Sequence, residues 1–245
     1  LVAILQSDQA TFERAHVELP PRLVAACQAA GVRRLVHVSA LGVSIDGPSR
    51  YLRSKARGEA VLREAGLDLT VLRPSVIFGA QDRFLNLFAA LQQWLPVVPL
   101  AGAQARFQPV WVGDVAEAIV RCLLDRTTIG QTYELAGPEV FTLGQLVQAA
   151  GRWAGVRGGA GRPVWPLPEA LGRLQALVME WAPGEPVMSR DNLDSMRVDN
   201  VATGQCPGLA QLGLAPAALA GIAPGYLGGQ GPRSRLMALR QRAGR

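Results

Sequence analysis

The sequence predicts an α/β fold, a doubly wound parallel sheet followed by a smaller, mostly helical C-terminal lobe. Over residues 1–155, short apolar strands alternate with helical segments, which is typical of a parallel sheet with helices on both faces. A Gly/Pro-rich connector then leads into helix-like segments, so residues 156–231 form the predicted lobe. The 245 residues are 49% hydrophobic and 18% charged, a globular composition that can bury a sizeable core.

The elements of the first half follow from hydrophobic spacing and from glycine stops. In chain order they are a strand at 1–5, a helix that stops at Gly31, a buried strand at 32–40, a helix from Tyr51 to Ala65, a strand running into a turn at 67–79 and a helix at 83–94. The next two strand–helix steps are FQPVWVGDVAEAIVRCLLD and TYELAGPEVFTLGQLVQAAGRWAG. Asp114 lies in the first turn of one helix, where an acid suits the positive helix end, and Thr142 is the predicted N-cap of the other.

Composition excludes several classes of protein. The three cysteines stand far apart without a CxxC pair and the two histidines lie on different segments, so we expect no disulfide framework and no metal site. A reducing, cytoplasmic compartment is the natural expectation, since there is no signal-peptide pattern and no apolar run reaches the ~18 residues of a membrane span. Nucleic-acid binding is not expected, because aromatic and basic residues do not interleave.

The net charge of +6 is concentrated at the C-terminus, since the predicted tail at 232–245 carries five arginines and no acid. Such a tail could contact an anionic membrane surface or an acidic partner, or could simply be a solvated chain end. Both interpretations stay open from the sequence.

The stretch YLRSK holds the most informative pair of side chains. Lys55 is the only lysine among 25 basic residues, and it follows Tyr51 by four positions on a predicted helix, so both side chains share one face. A nearby ammonium lowers the pKa of a phenol and brings it into range for proton transfer, and a lysine can also hydrogen-bond ribose hydroxyls. Taken alone, such a pair is a weak signal, because most pairs of this kind lie on ordinary surface helices.

Several segments together resemble a known family. LVHVSALG, YLRSK, LRPSVIFG, FQPVWVGDVAEAI and YELAGPEVFTLGQL, in this order and spacing, resemble the extended short-chain dehydrogenases/reductases, which include NAD-dependent epimerases and dehydratases. More narrowly, they resemble the atypical branch around the NAD(P)H-binding accessory subunit of respiratory complex I and its bacterial relatives. RDNLDSMRVDNVA is similar to the C-terminal lobe of that branch. The resemblance extends to about residue 220.

The resemblance implies a Rossmann-type sheet, NAD or NADP as cofactor, and a set of site residues. Tyr51, Lys55 and Ser39 are the implied catalytic residues. Tyr51 and Lys55, with Arg73, Pro74 and Ser75, are implied to border the nicotinamide and its ribose. Two alternatives stay open: Ser39 could simply close a strand, and Arg73 could form an ion pair at a strand end. Asp114 is expected to be a structural cap, His16 a helix-surface residue and His37 a strand-packing residue.

Two departures from the family pattern weaken the expectation of catalysis. Ser39 is followed by Ala40, so a second small hydroxyl at this strand end is missing. The chain also lacks the strand–GxxGxxG–helix step that holds a pyrophosphate, because the resemblance makes LVAIL the fourth strand. We therefore expect a truncated sequence with an exposed sheet edge and weak or absent binding of NAD(P), and a micromolar affinity would contradict this.

Two functions are consistent with these residues. The first is an NAD(P)-binding oxidoreductase or epimerase that acts on a small molecule through Tyr51 and Lys55. The second is a non-catalytic accessory or assembly subunit of a respiratory or quinone-related membrane complex, peripheral to the inner membrane, in which the nucleotide is structural. The substrate and the choice of NAD or NADP stay undetermined by the sequence.

Overall fold

The computed structural model describes residues 9–181 and 188–228. The predicted strand at 1–5 and the predicted basic tail lie outside these residues. The helices are α1 Gln9–Phe12, α2 Leu19–Ala29, α3 Arg50–Glu64, α4 Leu85–Trp94, α5 Val112–Leu124, α6 Leu143–Trp153, α7 Glu169–Trp181, α8 Arg190–Ser195 and α9 Leu219–Leu227. Within the described residues, no helix combines the length and the hydrophobicity that crossing a membrane requires.

Within the described residues, the strands form one central sheet and three small pairs. They are β1 Arg34–Val38, β2 Asp68–Pro74, β3 Ile77–Phe78, β4 Val98–Leu100, β5 Arg106–Phe107, β6 Val110–Trp111, β7 Thr132–Leu135, β8 Phe141–Thr142 and β9 Val164–Pro166. The central sheet is parallel with the order β1-β2-β7. Strands β3 and β6 pair in parallel, as do β4 and β9, whereas β5 and β8 are antiparallel.

Strand β2 lies in the middle of the sheet and is buried on both faces. Leu69 and Val71 point to one side, where they pack against Leu62 of α3. Leu72 points to the other side and packs against Val115 of α5. Because side chains alternate along a strand, this pattern requires a helical layer on each face. The predicted α/β class with a parallel sheet is confirmed.

A second core lies beside the sheet and joins helices from distant parts of the chain. Phe88 of α4, Leu146 of α6 and Leu219 of α9 belong to one buried apolar cluster. Helices on both sides of residue 155 therefore share a core. The division into residues 1–155, 156–231 and 232–245 stays a prediction.

Between α1 and α2 the helix widens into a π-helical turn at Glu13–Glu18. Its cause is local: Pro20 has no N–H, so the carbonyl of His16 loses the donor that an α-helix would supply. That carbonyl faces Gly58 of α3 so closely that a Cβ at Gly58 would collide with it. The π-helical turn and α3 thus pack backbone to backbone, which brings His16 next to the predicted site.

One of the two predicted caps, Thr142, is confirmed, and the other, Asp114, is not. Thr142 caps α6 in a reciprocal capping box with Gln145. Asp114 lies in the first turn of α5 and is structural as expected, but its partner differs, because its Oδ2 accepts a hydrogen bond from the Ala217 amide at 2.8 Å. The acid therefore ties the segment around Ala217 to α5 instead of capping its own helix.

Candidate functional site

One face of α3 carries three polar side chains in a row. Tyr51, Lys55 and Glu59 are spaced by four residues and therefore lie above one another along the helix. Lys55 and Glu59 are 4% and 3% exposed, and Tyr51 is half-buried. Within this row, Glu59 contacts Ser39 and Arg73 at the carboxyl ends of β1 and β2, the edge where ligands bind in open parallel sheets.

Lys55 is buried without a polar partner. Among the described residues, its ammonium has no hydrogen bond and no ion pair, and it lies 5.8 Å from the centre of the Tyr51 ring. Burial lowers the pKa of Lys55 to about 8, against the opposing effect of the Glu59 carboxylate. A buried charge without a hydrogen-bonding partner is unfavourable for folding, so this lysine calls for an explanation beyond stability.

Tyr51 lies in an aromatic cluster with residues of the first helical segment. Its ring packs edge-on against Phe12 at 6.0 Å and against His16 at 5.6 Å between ring centres. Burial raises the pKa of Tyr51 to about 12. This direction is opposite to the one expected from a nearby ammonium, because the loss of hydration disfavours the phenolate. At neutral pH the phenol keeps its proton.

Glu59 has the opposite environment to Lys55. Its carboxylate accepts hydrogen bonds from Arg63 at 2.6 Å, from Arg73 at 2.7 Å and from the Ser39 hydroxyl at 2.9 Å. Burial acts to raise the pKa of Glu59, but the hydrogen bonds from Arg73 and Arg63 outweigh it and hold this pKa below its ordinary value. Glu59 is therefore an ionised, fully satisfied structural group.

Ser39 and Arg73 meet at this carboxylate. Arg73 forms an ion pair with Glu59 at a strand end. Ser39 follows β1, and its buried hydroxyl donates to the same carboxylate. Neither polar group is free. The structure thus brings Tyr51 and Lys55 together directly, and it places Ser39 and Arg73 around the carboxylate one turn further along α3.

Pro74 and Ser75 lie at the carboxyl end of β2 and join neighbouring segments. The Pro74 carbonyl accepts the Leu41 amide at 3.0 Å. The Ser75 hydroxyl donates to Oδ1 of Asn200 in the C-terminal lobe at 2.7 Å. Their polar groups hold the loop after β1 and the lobe in place, and a role at the nicotinamide stays a prediction for both.

The expectation for His16 was wrong. It is 4% exposed instead of lying on the helix surface, and its Nδ1 is 2.9 Å from the Ser54 hydroxyl of α3. Its Nε2 has no hydrogen-bond partner among the described residues. Burial lowers the pKa of His16 to about 4, so the ring is neutral at pH 7. His37 is buried in β1, as expected for strand packing.

Two residues of the site were missed by the sequence reasoning. Glu59 could have been found, because it follows Lys55 by four residues on the same helix face. Asp191 could not, since it lies 140 residues from Tyr51 along the chain. Its carboxylate accepts the backbone amides of Arg50 at 2.7 Å and of Tyr51 at 3.1 Å.

Comparison with known proteins shows which proteins the chain is similar to. Residues 3–87 match the family model described as NAD(P)H-binding. A dTDP-glucose 4,6-dehydratase from Streptomyces venezuelae, solved with NAD and TYD bound, superposes with a TM-score of 0.65 at 21% identity over 89% of this chain and 66% of that chain. Residues 3–87 therefore match an NAD(P)H-binding family model, and the fold of the chain is similar to that of this dehydratase, in line with the motif resemblance to the extended short-chain dehydrogenases/reductases.

The curated relatives of the chain belong to a narrower group of proteins. Subunit 9 of the NADH dehydrogenase (ubiquinone) 1 alpha subcomplex from Mus musculus mitochondria is 35% identical over 217 residues, which are 85% of this chain and 54% of that protein. The mitochondrial NADH-ubiquinone oxidoreductase 40 kDa subunit of Neurospora crassa is 30% identical over 89% of this chain and 56% of that protein. The chain is homologous to these respiratory subunits, and it spans about half the length of both.

Proposed function

We propose that the chain forms the nicotinamide-ribose end of an NAD or NADP site, with Lys55 as the ribose ligand and Tyr51 as the proton-holding group beside it. The observation that carries this proposal is that Lys55 is a buried residue whose ammonium has no hydrogen bond and no ion pair among the described residues. Folding alone gives no reason to bury this charge, whereas a ligand with hydroxyl acceptors does.

The side chains present fit such a ligand. An ammonium offers three donors and no acceptor, which suits a pair of ribose hydroxyls, and a guanidinium fork would not reproduce it. When bound, the nicotinamide would supply or accept a hydride. The phenol of Tyr51 holds a proton at neutral pH, and Lys55 beside its ring favours the phenolate once that proton has moved.

A second candidate function has an observation of its own. The Ser39 hydroxyl is bound to Glu59 and Ala40 has no hydroxyl, so neither residue offers a free group to orient a substrate carbonyl. This favours an accessory subunit of a membrane-associated respiratory complex, in which the nucleotide is structural. The homology to the respiratory subunits supports the same alternative, with that complex as the partner.

The two candidates are separated by comparing wild type with Lys55→Met and Tyr51→Phe, in protein that includes any residues encoded upstream of Leu1. NADPH and NADH binding is followed by nucleotide fluorescence, and turnover is tested on a panel of carbonyl and quinone compounds. We expect Lys55→Met to weaken binding by at least about tenfold, as the loss of a charged ligand does, and Tyr51→Phe to retain it.

The outcomes differ for each function. Turnover that Tyr51→Phe abolishes supports the enzyme, and nucleotide binding without turnover in wild type supports the subunit. Unchanged binding by Lys55→Met would contradict the proposal as a whole.

A further inference from the structure

The N-terminus of α3 is completed by two residues of different origin. Ser49 is the local cap, and its hydroxyl accepts the Leu52 amide at 3.1 Å. The two preceding amides, of Arg50 and Tyr51, are both bound by Asp191 of the C-terminal lobe. Without Asp191, two of the first amides of α3 would lack a protein acceptor. A carboxylate from the lobe therefore completes the first turn of the helix that carries the candidate site.

Asp191 is itself held firmly. It is 8% exposed and lies in the first turn of α8, behind a reciprocal capping box formed by Ser189 and Asn192. The neighbouring Arg190 binds Glu180 of α7 through its backbone amide at 2.7 Å and through its Nε at 3.0 Å. A chain of contacts thus runs from α7 through α8 to the first turn of α3.

The position of Tyr51 depends on this first turn. Tyr51 is the second residue of α3, so its backbone follows any shift of the helix end. Lys55 lies one turn further in, next to the carboxylate of Glu59, which Ser39 and Arg73 hold on the sheet. A displaced first turn would therefore change the separation between the Tyr51 ring and the Lys55 ammonium.

We infer that Asp191 is a positioning residue of the Tyr51–Lys55 site, through which the C-terminal lobe sets the geometry of the pair. This inference rests on the proposed function for its consequence in nucleotide binding. Its structural part, the dependence of the pair on a carboxylate from the lobe, can be measured without a nucleotide.

The test compares Asp191→Asn with Ser49→Ala, a matched control that removes a cap hydrogen bond from the same turn without involving the lobe. Lys55 is the only lysine of the chain, so ¹³C-lysine labelling gives one side-chain NMR signal for these residues, assigned by its loss in Lys55→Met. Its titration reports how Lys55 is packed, because burial and Glu59 determine its pKa.

The expected results separate positioning from simple capping. In Asp191→Asn the Lys55 titration should move upward by about one pH unit as water reaches the pair, and NADPH binding should weaken about tenfold. In Ser49→Ala the apparent proton affinity of Lys55 and the affinity for NADPH should both stay within about twofold of wild type, despite a similar loss of stability. Identical behaviour of the two variants in both measurements would overturn the inference.

Two further outcomes of these experiments also decide the inference. If wild type binds no nucleotide, the proposed function fails, and the Lys55 titration alone decides whether Asp191 positions the pair. If Asp191→Asn does not fold, Glu180→Gln replaces it, because this change loosens Arg190 and leaves every contact of α3 in place. It should shift the Lys55 titration in the same direction by a smaller amount, and no shift would count against the inference.

Discussion

Lys55 and Glu59 lie one turn apart on the same face of α3 and are almost equally buried, yet their surroundings differ completely. Glu59 accepts hydrogen bonds from three side chains, whereas the ammonium of Lys55 has neither a hydrogen bond nor an ion pair among the described residues. A satisfied buried charge is explained by the fold that contains it. An unsatisfied one is not, so the difference supports our proposal that the Lys55 half of the helix face binds a ligand while the Glu59 half is structural.

The largest expected effect is on the structural side. Glu59→Gln removes the charge that Arg63, Arg73 and Ser39 all address, and it should lower the free energy of unfolding by about 3 kcal/mol, the low end for breaking a buried ion pair, because both arginines are partly exposed. Urea unfolding measures the loss.

The control for Glu59 is Glu64→Gln, an exposed acid at the end of the same helix, which should change stability by less than about 0.5 kcal/mol. Equal effects of the two changes would mean that the Glu59 network contributes no more than an exposed charge does, and the comparison between Glu59 and Lys55 would lose its basis.

A change of the opposite sign is expected on the functional side. Lys55→Met replaces an unpaired buried charge by an apolar chain of similar length, and it should raise the free energy of unfolding at pH 7 by about 2 kcal/mol. The same change should weaken nucleotide binding, so stability and function would move in opposite directions at this residue.

The pH dependence of that gain checks its cause. The pKa of Lys55 is lowered to about 8 in the folded state from an ordinary 10.5, so between these values the unfolded chain binds more protons and wild-type stability rises with pH. The stabilisation by Lys55→Met should therefore be complete below pH 8 and shrink as the pH approaches 10. A gain that stays constant across this range would have another origin than the buried charge.

The sequence predicted the parts of this site that depend on local spacing. The glycine stop after it and the polar loop before it define the bounds of the helix that carries Tyr51 and Lys55. The two residues are four positions apart on this helix, and that spacing alone places them together. The partners of Ser39 and Arg73 depend on the packing of α3 against the sheet, so the sequence left both as alternatives. Asp191 reaches Tyr51 only through the docking of the C-terminal lobe, and no local pattern indicates it.

The burial of His16 was missed for a related reason. His16 was expected on the helix surface, but Pro20 widens the helix into a π-helical turn and Gly58 lets that turn approach α3. The rotation that turns the imidazole inward results from two residues acting together across two helices. Hydrophobic periodicity assumes a regular helix, and it fails where a proline removes the regular hydrogen bond.

The smallest expected effect concerns Ser39, and it tests most directly whether the groups around Glu59 are separate from the Tyr51–Lys55 site. Ser39→Ala removes one of the three donors to Glu59 and leaves both guanidinium groups in place, so stability should fall by only about 1 kcal/mol. Because the hydroxyl is directed to Glu59, nucleotide binding and any turnover should be unchanged. Ser44→Ala, in the exposed loop after the same strand, serves as the control. A loss of turnover in Ser39→Ala with nucleotide binding retained would instead place Ser39 with Tyr51 and Lys55 in the chemistry, and Glu59 would then be the group that orients it.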